Sequence, residues 1–170
     1  MRVASFFLAG LILGLPLWAD HVPEKSQATG HPDSVLCGFD IYQVRRESLF
    51  ARLGNPDKVE EHKAGPSDAP DIVYSWRKGD LEFSAAFFDK NPESTPFTLM
   101  VRGSSRSGDW GQTGRGLGLG DPFTAVGRIY GHSWSTRSGT RVLVQWDDET
   151  TIELHFSADK LESIKLLSAE

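Results

Sequence analysis

Apolar residues recur along this chain with two different periods, and the switch from one to the other occurs twice. In the C-terminal part, Phe123, Val126, Ile129 and Tyr130 recur at helical spacing. Gly120, Asp121 and Pro122 stand before them as a turn residue, an N-cap carboxylate and a first-turn proline, and Gly131 follows where a left-handed cap would close the helix. After the helix the period falls to two. Val142, Val144 and Trp146 alternate with Arg141, Leu143 and Gln145, a polar turn spans Asp147 to Thr150, and Ile152, Leu154 and Phe156 alternate with Glu153 and His155. A turn at Ala158 to Lys160 leads to a last strand marked by Ile164 and Leu166, and a short strand at Gly116 to Leu119 precedes the helix.

The same order occupies Cys37 to Arg102. Gly38, Phe39 and Ile41 correspond to Gly116, Leu117 and Leu119, while Leu49, Leu53 and Gly54 correspond to Val126, Tyr130 and Gly131, with Asn55 and Pro56 stopping the helix. Ile72, Tyr74 and Trp76 run into a turn at Arg77 to Asp80; Leu81, Phe83, Ala85 and Phe87 leave it; Phe97, Leu99 and Val101 end the unit. The correspondence predicts an internal duplication, an α+β fold of two tandem strand-helix-meander repeats. Trp76 and Trp146 hold equivalent positions in phase with apolar neighbours, so both are expected in the core together with Leu53, Gly54, Tyr130 and Gly131.

Length bears on how the repeats are joined. A unit of roughly 60 residues buries only about 60% of its unfolded-chain surface, against nearly 70% for roughly 150 residues, so two repeats sharing one core are favoured over separate beads. The expected division is a signal peptide at 1–19, a flexible leader at 20–36, repeat 1 at 37–102, a glycine-rich linker at 103–114 and repeat 2 at 115–170. The first boundary rests on Arg2 followed by the apolar run Val3 to Trp18, which is too short, and too broken by Gly14 and Pro16, to span a bilayer. Cleavage after Ala19 implies a periplasmic or secreted protein with no stable membrane anchor.

Charge and cysteine content narrow the partners. The 18 basic and 23 acidic residues give a net charge of −5, which becomes −6 once Arg2 is removed, and an acidic surface excludes nucleic acid or an anionic membrane as the main partner. Cys37 is the only cysteine, so the chain forms no internal disulfide. Its flanks Val35, Leu36 and Phe39 suggest a buried thiol on the first strand. Two polar segments, Lys63 to Asp71 and Lys90 to Pro96, lengthen the first copy relative to the second and are expected as loops.

Gly103 to Gly120 holds seven glycines and is expected as a mobile linker leading into the second repeat. Glycines 114, 116, 118 and 120 fail the dinucleotide fingerprint, because Leu119 or Asp121 stands where the last glycine is required, and GK[ST] is absent. No cofactor is expected. Histidines 21, 31, 62, 132 and 155 lack metal-ligand spacing, so no metal is expected either.

Two sets of residues could carry function. His155 and Glu153 lie at i and i+2 of a strand, hence on one polar face where Arg141 or Gln145 can join them, and such a pair could transfer protons in a small hydrolase or isomerase. No nucleophile motif of the GxSxG or SxxK kind accompanies it, and no catalytic residue is assigned. Trp110 and Trp134 have no aromatic counterpart in the other copy, and exposed aromatics near arginines are common interface anchors. With Arg141 and His155 they form the candidate binding set for a protein partner, a carbohydrate or cell-envelope ligand being the alternative.

Gly116, Leu117, Gly118, Leu119, Gly120, Val126, Tyr130 and Gly131, echoed by Gly38, Leu49, Leu53, Gly54 and Pro56, make the arrangement resemble the beta-lactamase-inhibitor-protein-like fold. Small outer-membrane assembly lipoproteins of the SmpA/OmlA type share that fold. The resemblance covers about Cys37 to Leu167 and implies an antiparallel sheet with helices on one face, the opposite face being offered to a protein partner. It implies a non-catalytic module, inhibitor-like or an envelope assembly or accessory protein. The chain departs from the inhibitors in having no disulfide and from the lipoproteins in lacking a lipidation signal at Cys37.

Overall fold

The computed structural model describes residues 31–63, 71–131, 135–145 and 148–168, so the expected signal peptide, Trp134 and Trp146 lie outside the described residues. The elements in chain order are a 3-10 turn at Pro32–Ser34, β1 (Val35–Leu36), β2 (Phe39–Asp40), α1 (Arg46–Leu53), β3 (Lys58–His62), β4 (Asp71–Lys78), β5 (Leu81–Phe87) and β6 (Thr98–Arg102). They continue with α2 (Thr124–Tyr130), β7 (Ser135–Ser138), β8 (Arg141–Gln145), β9 (Thr150–Ser157) and β10 (Lys160–Ser168). β1 and β2 form a hairpin. The other eight strands form one sheet in the order β3-β4-β5-β6-β10-β9-β8-β7, each neighbouring pair antiparallel. An α+β class with a mainly antiparallel sheet is therefore observed. β6 and β10 meet at the centre, with Ser163 opposite Arg102 and Leu167 opposite Thr98.

Alternation explains which side of the sheet is dry. Residues directly opposite one another in an antiparallel ladder share a face. Tyr74 pairs with Ala85, Ala85 with Leu99, Leu99 with Leu166, Leu166 with Ile152 and Ile152 with Val144; all six are buried, forming one apolar row across six strands. A parallel row carries Trp76, Phe83, Val101, Ile164, Leu154 and Val142, also buried. α1 adds Leu49 and Leu53, and its Phe50 meets Tyr74 and Trp76 edge-on at 5.1 and 5.7 Å between centroids. α2 adds Val126 and Tyr130, and Phe123 meets Phe156 edge-on at 5.6 Å. Full burial of each large side chain contributes about 1.5–3 kcal/mol, so the two rows dominate stability.

The helix ends show how neighbouring segments satisfy backbone groups. Arg45 gives α1 no side-chain cap; instead the amides of Arg46 and Glu47 donate to the carbonyls of Ser94 and Pro92 at 3.0 and 3.1 Å, so the 90–96 loop closes the orphan end of the helix. Both helices stop at glycines with positive φ, +78° at Gly54 and +77° at Gly131, each amide donating back to the fourth residue before it. Trp76 is 6% exposed and its indole N–H donates to the Gly54 carbonyl at 3.0 Å, tying β4 to the end of α1.

Several expectations are corrected. The segment 31–36 is built into the fold rather than free, because Asp33, Ser34 and Leu36 are buried and Leu36 bridges to Thr113. Cys37 sits in the β1–β2 turn rather than on a strand, with φ of +54°, and is nevertheless buried. Glycine content in 103–120 does not make a mobile linker: Gly114 donates to Val35, Cys37 to Gln112, Leu119 to Gly111 and Gly120 to Leu161, so the segment is laced to β1 and β10. No strand forms at Gly116 to Leu119; Leu117 and Leu119 are buried in a looped path instead. Asp121 does not cap α2, since its carboxylate turns back to accept from the Gly118 amide at 2.9 Å and the helix begins at Thr124. β3 and β7, unanticipated from their polar residues, are the two outer strands of the sheet.

Candidate functional site

Side chains alternating with the core positions form the second, polar face of the sheet. Register sets them in rows. One row runs through Arg77, Glu82, Arg102, Ser163, His155 and Arg141 on β4, β5, β6, β10, β9 and β8, a span of about 24 Å at the usual strand spacing. The adjacent row holds Ser75, Ser84, Met100, Lys165, Glu153 and Leu143. Ser75 and Ser84 are buried, and Met100, Lys165 and Leu143 are half-buried.

Two carboxylates organise the charged row. Glu82 accepts from Arg77 Nε at 3.3 Å and from Arg102 Nη2 at 2.9 Å on each oxygen. Glu153 Oε1 pairs with Arg141 Nε at 2.5 Å and with His155 Nε2 at 2.8 Å. An ionised carboxylate only accepts, so this last bond places a proton on His155 Nε2. Burial pushes both carboxyls up, but the hydrogen bonds and charges of Arg102 and Arg77 on Glu82, and of Arg141 and His155 on Glu153, outweigh it and hold both below the ordinary carboxylate value. The carboxylates are sunk, with 17% and 11% of their side chains exposed, while Arg77, Arg102 and Arg141 stand proud at 70%, 56% and 49%.

The candidate residues divide accordingly. Arg141 and His155 come together around Glu153 as their spacing implied. Trp110 does not join them: it is half-buried, edge-on to Phe39 and Phe83 at 6.3 and 6.1 Å, with Lys78 Nζ 5.6 Å from its ring centre. Its ring packs back on the core while staying half-buried, so it does not share the Glu153 cluster. Trp134 lies outside the described residues. Arg77, Glu82 and Arg102 escaped the sequence reading, since only the register of β4, β5 and β6 aligns them.

A cleft of about 520 Å³ lies where the β4–β5 turn meets the end of β6, lined in part by Arg77, Asp80, Glu82, Arg102, Ser104 and Glu162. Asp80 accepts from the Ser104 amide at 3.2 Å and from its hydroxyl, and these bonds hold its carboxyl below the usual range. His155 is not among the lining residues, so the His–Glu pair and the cleft are separate features.

A second polar cluster lies beneath the glycine segment. Asp33 is 1% exposed and receives Arg115 Nε at 2.6 Å and Nη2 at 2.8 Å, with His31 Nδ1 at 2.9 Å. Beside it the Tyr130 hydroxyl donates to Thr113 Oγ1 at 2.9 Å, and burial pushes that phenol up to about 12. Thr113 Oγ1 also accepts from the Leu117 amide at 3.2 Å. The Cys37 thiol, likewise pushed up to about 12 by burial, accepts from the Gly111 amide at 3.3 Å. These bonds hold the glycine segment against β1 and α2, while burial, outweighing the bond from Gly111, keeps the thiol protonated.

Among the described residues no group of three His, Cys, Asp or Glu side chains is disposed to hold a metal ion, and no helix is long and apolar enough to cross a membrane. No protein-family model matches this chain, and no curated protein matches it. Among solved structures it is similar to a candidate beta-lactamase inhibitor protein from Streptococcus mutans, at 19% identity over 75% of this chain and 84% of that one, with a TM-score of 0.33.

Proposed function

We propose that this chain is an exported, non-catalytic module that binds a protein through the polar face of its sheet. Export is supported by Arg2 and the short apolar run to Trp18, with Ala19 as the last residue removed. In this reading the two halves are copies of one unit: α1 precedes β3 to β6, α2 precedes β7 to β10, and the strand order mirrors itself about the β6–β10 seam. Both helices then cover the apolar face, as the rings of Phe50 against Trp76 and of Phe123 against Phe156 suggest, and the polar face is left for a partner.

The observation that carries the reading is the make-up of the row next to the charged one. A sheet face exposed to water alone needs no apolar side chains there, yet Met100 beside Ser84 and, three strands further on, Leu143 stand in that row and Val73 and Leu167 in the row beyond it, all half-buried. Half-buried apolar groups bordered by arginines have the composition of a protein interface. The test is capture from the exported fraction on immobilised full-length protein, comparing Met100→Arg and Leu143→Arg with Val59→Arg, a control at an exposed position on β3. Loss of the captured partner in the first two alone, with melting unchanged, is expected; capture unchanged in both overturns the reading.

A second reading, a small hydrolase or isomerase, has the 2.8 Å bond between His155 and Glu153 in its favour. Arg141 on the same oxygen favours a lasting anion at Glu153 over a proton acceptor. A carbohydrate or cell-envelope module would rest on Trp110, whose half-buried ring packs edge-on to Phe39 and Phe83.

A further inference from the structure

The polar face presents its two kinds of charge at different depths. Glu82 and Glu153 are sunk and each is shared by two nitrogen donors, whereas Arg77, Arg102 and Arg141 are each held by one side of the guanidinium and stand half or more exposed. Arg77 and Arg141 bind their carboxylates through Nε, and Arg102 binds Glu82 through Nη2. The outward layer of the row is therefore made of N–H donors fixed in direction, although the charges below nearly balance. A guanidinium already held in place loses less conformational freedom on meeting a second carboxylate than a free one would.

From this layering we infer that the partner presents carboxylates to the row, so that the face takes an acidic protein surface. The inference rests on the polar-face reading and adds the partner's chemistry to it. Arg77 Nε and Arg102 Nη2 converge on one oxygen of Glu82, at 3.3 and 2.9 Å, and so form one basic spot, whereas the backbones of Arg102 and Arg141 lie three strand spacings apart, about 14 Å, which sets the scale between two acidic groups on a partner. Lys165 in the next row strengthens the central part. Asp80 and Glu162 line the cleft together with Arg77 and Arg102, so acidic side chains crowd that end of the row, while Arg141 and Lys165 lie outside the cleft. A protein fits better than a sulfated or phosphorylated polymer for two reasons. Met100 and Leu143 border the row and give a hydrated polyanion nothing to bury, and the chain's net charge of −5 repels a long polyanion as a whole.

The test pans a random dodecapeptide display library on the immobilised full chain and measures the enriched peptides in solution. Expected are peptides carrying several Asp or Glu with an aliphatic or aromatic residue, bound about tenfold or more weakly by R102Q/R141Q at a temperature below that variant's own, lowered, unfolding midpoint, and more weakly again on raising salt from about 50 to about 300 mM. The R102K/R141K variant keeps the charge, loses the planar fork and is expected to fall between. Enriched peptides without acidic residues that are lost in Leu143→Arg but not in R102Q/R141Q overturn the acidic partner and leave the polar-face reading standing. Peptides indifferent to all of these variants, or no enrichment at all, overturn both. Heparin retained by the wild type as strongly as the peptides and released in R102Q/R141Q identifies a polyanion as occupant and overturns the protein partner.

Discussion

Removing the indole of Trp76 tests the packing that places β4 under α1. The ring is 6% exposed and lies 5.7 Å from Phe50, 6.4 Å from Tyr74 and 6.0 Å from Phe83, so Trp76→Ala opens a cavity among aromatic rings that are themselves locked by one another. A truncation of that kind costs about 3–5 kcal/mol. It also takes away the 3.0 Å bond to the Gly54 carbonyl. Gly54 is half-buried, so water can replace the donor in part and the added cost stays near 1 kcal/mol, the low end for an unsatisfied group. At roughly 2–4 °C per kcal/mol for a chain of this size, the midpoint should fall by about 8–24 °C. Trp76→Phe separates the two contributions, because it keeps most of the ring contacts and loses only the donor and part of the volume; about 1–3 kcal/mol is expected. Thermal unfolding of the full chain followed by circular dichroism reads both variants. A Trp76→Ala midpoint within a degree or two of the wild type would refute the packing argument.

Other regions make equally direct demands. Arg115→Ala removes both guanidinium bonds to the buried Asp33 carboxylate, leaving it His31, and should cost up to about 3–5 kcal/mol in denaturant unfolding, much of it recovered when Asp33→Leu is added; no recovery in the double variant would contradict the pairing. Gly114→Ala places its Cβ against the Pro32 carbonyl and should destabilise by about 1–3 kcal/mol, whereas a mobile linker would accept it without change in the midpoint. Glu153 is held below the ordinary carboxylate value in the fold, so its contribution is present above the unfolded-state value and disappears as pH falls through the lower folded one. The midpoint measured from pH 7 to pH 3 should accordingly drop less in Glu153→Gln than in the wild type, and parallel curves would remove Glu153 from the acid limb.

Strands that bury one face declared themselves in the sequence. Ile72, Tyr74 and Trp76 on β4, or Ile152, Leu154 and Phe156 on β9, alternate because every second side chain meets the core. β3 and β7 gave no such signal: Lys58–His62 has a single apolar residue and Ser135–Ser138 has none, since outer strands are held by a backbone ladder on one side and are kept polar on the other. The glycine segment misled for a related reason. Its order comes from backbone bonds to Val35 and Leu161, distant in the chain, and composition carries no trace of them. At the candidate site, His155, Glu153 and Arg141 were legible because i and i+2 share a strand face and a hairpin brings Arg141 opposite His155. Arg77, Glu82 and Arg102 were not, because their alignment depends on two registers that local spacing leaves open. The packing of Trp110 against Phe39 and Phe83 was not legible either, because no short-range pattern signals it.

Met100 supplies the most direct measurement. It stands on β6 in the row beside Arg102, and Met1 is the only other methionine, so sulfoxide formation at Met100 under mild peroxide reports on the polar face alone. Oxidation is followed by mass spectrometry of the peptide containing Met100, with and without the partner captured from the exported fraction. Marked slowing at Met100 on saturation with the partner, reversed in R102Q/R141Q, is the result predicted; an oxidation rate indifferent to a bound partner would place the contact elsewhere and contradict the assignment.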